Sequence, residues 1–110
     1  MAILKKGRGF CHLPASGSTG SKQRPAVFLD RDGVLNEEVG FISDPTGLRV
    51  LPGVAEALRS LASTFRLVVV TNQSGVARGL YTEEDLLAVN EELALRLAED
   101  EASLDAIYFC

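Results

Sequence analysis

Ala26-Val27-Phe28-Leu29 is a run of four apolar residues that stops abruptly at Asp30-Arg31-Asp32-Gly33. A short apolar run without alternation fits a strand buried on both faces, and the polar cluster at its end marks where the chain leaves the sheet. Arg66-Leu67-Val68-Val69-Val70-Thr71 repeats the pattern and again runs into polar residues, Asn72-Gln73-Ser74-Gly75. Asp105-Ala106-Ile107-Tyr108-Phe109 begins a third strand. Between the first two lies an irregular stretch, 33 to 51. It is followed by Pro52-Gly53, opening a helix whose Val54, Leu58 and Leu61 recur at i, i+4 and i+7. A second helix starts at Thr82-Glu83-Glu84-Asp85, a capping box with Asp in place of Glu or Gln, and buries Leu86, Leu93 and Leu97.

Strand, helix, strand, helix, strand predicts right-handed crossovers and an α/β fold, a doubly wound parallel sheet. Such sheets bind ligands beyond the carboxyl ends of their strands, where Asp30 to Asp32 and Thr71 to Ser74 converge. A third strand with an unpaired outer edge leaves sheet surface bare, so residues 25–110 are expected to be the N-terminal portion of a larger domain.

Composition narrows the function classes. The 110 residues are 46% hydrophobic and 24% charged, with 10 Gly and 4 Pro, which excludes disordered, collagen-like and disulfide-scaffold proteins. No apolar run exceeds five residues, against the roughly 18 that a spanning helix needs, so no membrane partner is expected. Residues 1–24 hold Lys5, Lys6, Arg8, Lys22 and Arg24 and no acid, whereas residues 25–110 hold six arginines against all 15 acids. A phosphate backbone would be repelled by the larger part, so nucleic acid is not expected as a partner. The first 24 residues are Gly/Ser-rich (Ala15-Ser16-Gly17-Ser18-Thr19-Gly20-Ser21) and read as a flexible basic tail. They lack a signal peptide's apolar core and the spacing of a phosphate-binding loop. Cys11 and Cys110 show no metal-type spacing and suggest a reducing compartment.

Chemistry at the first cluster follows from spacing. In extended chain Asp30 and Asp32 point to one side and bring two carboxylates to one reacting centre, while Gly33 permits a tight exit. Close like charges are expected to raise one pKa, leaving one Asp ionised as nucleophile or metal ligand and its neighbour protonated. Hard oxygen ligands suit Mg²⁺. Alone, Asp-x-Asp-Gly is as readily a solvated turn; an EF-hand is excluded because Gly33 is the fourth residue and Phe41 the twelfth. Thr71 and Ser74 hydroxyls with Asn72 and Gln73 amides supply neutral donors suited to phosphoryl oxygens. The two clusters together point to phosphoryl transfer. The single histidine, His12, lies in the tail, so histidine-based chemistry has no candidate there.

Phe28-Leu29-Asp30-Arg31-Asp32-Gly33-Val34-Leu35-Asn36, followed by Val68-Val69-Val70-Thr71-Asn72-Gln73-Ser74-Gly75-Val76-Ala77-Arg78-Gly79, closely resembles the haloacid dehalogenase superfamily. The resemblance runs from about residue 25 to the last residue and takes in Pro52-Gly53-Val54 and Tyr81-Thr82-Glu83. Within the superfamily it is nearer to the branch hydrolysing heptose bisphosphate than to the histidinol-phosphate branch. It implies a Rossmann-like fold with a minimal cap and a Mg²⁺-dependent phosphatase acting on a phosphorylated sugar, cytoplasmic and monomeric. Asp30 would be the nucleophile and Asp32 the general acid and base, and both would serve Mg²⁺, Asp32 through its backbone carbonyl. Thr71 and Asn72 would hold the phosphate, and Glu38, Val39, Gly40, Phe41, Gln73 and Ser74 the substrate. Glu38 and Phe41 depart from the family's usual Asp and Tyr, which bears on sugar specificity. Cys110 matches the first ligand of a structural Zn²⁺ loop, and one cysteine does not make that site. The family also uses a later lysine and a later acid as metal ligand, and no lysine follows Lys22. The chain by itself is therefore expected to turn over poorly, as a remnant binding phosphate or Mg²⁺ would. A response-regulator domain is the distant alternative, disfavoured because its acids are adjacent rather than spaced by one residue.

Overall fold

Five strands, β1 (Ala2–Lys6), β2 (Gly9–Leu13), β3 (Ala26–Leu29), β4 (Arg66–Thr71) and β5 (Ala106–Phe109), form one sheet in the order β1-β2-β5-β4-β3. The computed structural model describes residues 2–6, 9–13, 24–40 and 42–109, the first two stretches and Ser74 through their backbone. The three strands expected from apolar runs are there and pair in parallel, with Leu29 opposite Val69 and Val69 opposite Ile107. The crossovers carry α1 (Val54–Ala62) and α3 (Glu83–Glu99), and a short α2 (Ser74–Ala77) follows β4.

The N-terminal stretch departs from expectation. In place of a flexible tail, β1 and β2 form an antiparallel hairpin, and β2 lies antiparallel on β5 with Phe10 opposite Phe109 and His12 opposite Ile107. The physical reason is the edge of β5, whose free N–H and C=O groups template any extended neighbour. The edge expected to be unpaired is thus paired; residues 14–23, with the Gly/Ser run, lie outside the described residues.

The helices form where the sequence places them. Thr82 Oγ1 accepts from the Asp85 N–H at 3.1 Å and Asp85 Oδ2 accepts from the Thr82 N–H at 2.9 Å, so Asp completes the capping box. Leu58 of α1 and Val89, Leu93 and Leu97 of α3 pack on Leu67, Val69 and Ile107. Both helices therefore cover the sheet face that carries Val27 and Leu29. The opposite face presents Phe28, Val70 and Tyr108, exposed at 69%, 49% and 45%. This asymmetry sets an expected stability contrast. Leu93→Ala, in the closed core, should cost about 2–5 kcal/mol, and Phe28→Ala less than about 1 kcal/mol, as read by urea unfolding. Equal costs would show that the two faces are buried alike.

Candidate active site

Asp30 follows Leu29, and Thr71 ends β4 two residues beyond Leu29's partner Val69, so both leave adjacent parallel strands set about 4.8 Å apart. Immediately beyond β3 the chain folds into a tight loop. The Arg31 carbonyl accepts from the N–H groups of Leu35 (2.8 Å) and Asn36 (3.2 Å), and Gly33 N–H returns to the Asn36 carbonyl at 2.7 Å. Gly33 sits at φ +85°, where a side chain would be strained. Leu35, buried in the core, pins the loop to the helices.

Arg31, which separates the two acids in sequence, is fully buried. Its Nε donates to Asp32 Oδ1 at 2.9 Å, its Nη2 to Asp32 Oδ2 at 3.2 Å, and its Nη1 to Asn90 Oδ1 on α3 at 2.9 Å. Asn36 Nδ2 adds a bond to Asp32 Oδ1 at 2.9 Å, and Gln73 Nε2 one to Asp32 Oδ2 at 3.2 Å. The same Gln73 nitrogen donates to Thr71 Oγ1 at 2.7 Å, and Tyr81 O–H donates to Gln73 Oε1 at 2.7 Å. Asp32 and Thr71, from two loops, are thereby joined through one amide.

For Asp32 this wiring works against the protonation expected from carboxylate repulsion. Burial pushes the Asp32 carboxyl up, but hydrogen bonds from Arg31 and Asn36, the Arg31 charge and the Gln73 bond together outweigh it and hold Asp32 below its ordinary 3.8. Because the folded value is the lower one, Asp32 contributes stability that is present above about pH 4 and lost as pH falls through the folded value. Asp32→Asn is accordingly expected to flatten the acid limb of a urea-stability profile between pH 5 and pH 2; an unchanged limb would remove Asp32 from the linkage. Burial raises the Tyr81 pKa, so its hydroxyl remains a donor at neutral pH.

The other expected site residues divide. Asp30 is exposed, and its Oδ1 accepts from the Arg31 N–H at 2.8 Å. Thr71 is buried and Asn72 exposed beside it. Gln73, expected to meet substrate, is 4% exposed and turned inward onto Tyr81, Thr71 and Asp32. Glu38 leans over the loop, with Oε2 3.5 Å from where a Cβ on Gly33 would stand, and Val39 and Gly40 continue exposed. Phe41, the Ser74 side chain and Cys110 lie outside the described residues. Among the described residues no three His, Cys, Asp or Glu groups gather to hold a metal. The Asp30 carboxylate and Asp32 main-chain carbonyl are hard oxygens of the kind Mg²⁺ takes, together with water and phosphate oxygens. Arg31, Asn36, Tyr81 and Asn90 were not expected at the site. Asn90 gave a signal, a polar residue within the buried stripe of α3, between Val89 and Leu93.

The architecture and the two loops have counterparts. No protein-family model matches the chain. The D-glycero-beta-D-manno-heptose-1,7-bisphosphate 7-phosphatase of Yersinia pestis is 46% identical over 87 residues, 78% of this chain and 46% of the relative. That of Escherichia coli K12 is 43% identical over 91 residues, 82% of this chain and 48% of the relative. A HAD-like phosphatase from Mesorhizobium loti superimposes with a TM-score of 0.87 at 31% identity, covering 97% of this chain, a share that reaches into the first 24 residues, and 51% of its own. The D,D-heptose 1,7-bisphosphate phosphatase of B. bronchiseptica, complexed with magnesium and phosphate, gives a TM-score of 0.73 at 36% identity over 78% of this chain and 49% of that one. The chain spans about half the length of the curated relatives it matches. Among the described residues no helix is long and apolar enough to cross a membrane. With the Asp30 to Gly33 loop and the Thr71 loop on neighbouring strand ends, and with identity to heptose bisphosphate phosphatases above 40%, the chain is similar to the haloacid dehalogenase-like phosphatases over about half of their length.

Proposed function

We propose that this chain carries the nucleophile-bearing part of a Mg²⁺-dependent phosphatase that takes the 7-phosphate from D-glycero-D-manno-heptose 1,7-bisphosphate. The observation that carries it is the joining of the two loops, Asp32 to Thr71 through Gln73, beside an exposed Asp30. An Asp30 carboxylate oxygen attacks phosphorus, forming an aspartyl-phosphate as the bond to the sugar oxygen breaks. The leaving oxygen takes a proton from Asp32, and the resulting Asp32 carboxylate then accepts one from the water that releases orthophosphate. Asp32 enters ionised, the form required for the second step, and a bound phosphate dianion next to it raises its pKa toward the form required for the first. Thr71 and the Asn72 backbone hold the phosphoryl oxygens. Mg²⁺, held by the Asp30 carboxylate and the Asp32 carbonyl, would neutralise charge on the transferring group.

Glu38, Val39, Gly40 and Phe41 are proposed to meet the sugar, with Ser74 beside them. Cys110 is proposed as one zinc ligand, a thiol that needs others to close a site. The acidic balance of residues 25–110 supports a monomer that binds no nucleic acid, and the two cysteines support a cytoplasmic setting. The test joins this chain to the remaining half of the Yersinia pestis relative. The fusion is expected to release phosphate from the heptose bisphosphate with Mg²⁺ and far more slowly from histidinol phosphate, while the 110-residue chain alone releases little. A fusion preferring histidinol phosphate would reject the heptose assignment.

A further inference from the structure

We infer that Tyr81 and Gln73, with Tyr81 seated against Gly75, form a one-way hydrogen-bond relay that fixes the direction of the Thr71 hydroxyl and reserves its proton for an anionic oxygen. The inference rests on Thr71 as a phosphate ligand. The relay starts at Tyr81, whose ring and hydroxyl lie against the Gly75 backbone. Tyr81 O–H donates to Gln73 Oε1 at 2.7 Å, and the Asp32 carboxylate on the other side, which can only accept, settles the orientation of the amide. Nε2 must then face the other way, and it spends both protons, on Thr71 Oγ1 at 2.7 Å and Asp32 Oδ2 at 3.2 Å. A hydroxyl that accepts from an amide still has its own proton to give. Among the described residues none accepts it. Thr71, Gln73 and Tyr81 are 3%, 4% and 5% exposed, so water does not compete along the chain, and bonds in series reinforce one another. Gly75 is part of the device because a Cβ there would stand 2.6 Å from Tyr81 Cζ and 2.8 Å from its hydroxyl oxygen, displacing the ring. Gln73 and Tyr81 are thus positioning residues.

The test uses the 110-residue chain, Mg²⁺ and inorganic phosphate, with binding followed by calorimetry and Gln73 side-chain amide exchange by NMR. Tyr81→Phe removes the donor that holds the amide and is expected to weaken phosphate about tenfold; Gln73→Glu, which can only accept, should weaken it about a hundredfold. In a Thr71→Val background Tyr81→Phe should have no further effect, whereas a merely structural role would persist there. Equal phosphate affinity in Tyr81→Phe and the parent chain, or an undiminished Tyr81→Phe effect beside Thr71→Val, overturns the relay. If the parent chain binds no phosphate, the reading of Thr71 fails, and amide exchange decides the relay. Slow Gln73 side-chain exchange that Tyr81→Phe speeds at least about tenfold supports it, and exchange that is equal in both overturns it.

Discussion

Asp30→Asn, made in the fusion with the second half of the Yersinia pestis relative, is expected to lower Mg²⁺-dependent phosphate release by about 10⁴-fold or more. The amide keeps the size of the carboxylate but has no anionic oxygen to form the bond to phosphorus. Little of the loss should come through folding, because Asp30 is exposed and accepts a single described hydrogen bond, from the Arg31 N–H. A denaturation midpoint close to the parent's would confirm that separation. In the 110-residue chain the same substitution should abolish binding of beryllofluoride, an aspartyl-phosphate mimic, as followed by ¹⁹F NMR. Asp32→Asn is expected to lose about 10²- to 10⁴-fold, the range for one acid–base group. A variant lacking the Asp30 carboxylate that still turned over at the parent rate would remove the covalent intermediate from the mechanism.

What could be read from the sequence is what short-range physics decides. Ala26 to Leu29 and Leu67 to Val70 announced strands by their continuous apolar residues. The burial on both faces that such runs imply is found on one face only, since both helices lie on the side of Leu29 and Val69 and leave Phe28 and Val70 exposed. Thr82 and Asp85 announced a helix start because a capping box closes within four residues. The parts not legible depend on distant partners. Arg31 read as a spacer between two acids, yet its burial depends on Asn90, 59 residues away. Without that buried counter-ion the argument from like charges pointed the wrong way for Asp32. Gln73 read as a donor facing substrate, and it turns inward because Tyr81 fills the space left by Gly75. The N-terminal hairpin was missed because β2 has meaning only beside β5, at the other end of the chain.

Arg31→Met is expected to destabilise the fold by about 3–5 kcal/mol, a large share of the roughly 5–15 kcal/mol available to a domain of this size. The loss comes less from the attraction itself than from what stays behind. Asp32, whose side chain is 22% exposed, would keep a carboxylate with only the Asn36 and Gln73 amides against it, and Asn90 Oδ1 would lose its donor. Arg31→Lys should recover only part of the loss, since an ammonium cannot reach both Asp32 oxygens and Asn90 in the planar fork that guanidinium provides. The pH dependence distinguishes this from a packing defect. Without the guanidinium two of the lowering causes vanish and the folded Asp32 pKa rises from its value in the parent, so protonation costs the variant less than it costs the parent, which loses its ion pair. The gap in urea stability between parent and Arg31→Met should therefore narrow as pH falls from 7 to below 4, and Asp32→Asn added to Arg31→Met should restore part of it at pH 7. A gap of constant size across that interval would mean that Arg31 stabilises through its volume, with the charge on Asp32 playing no part.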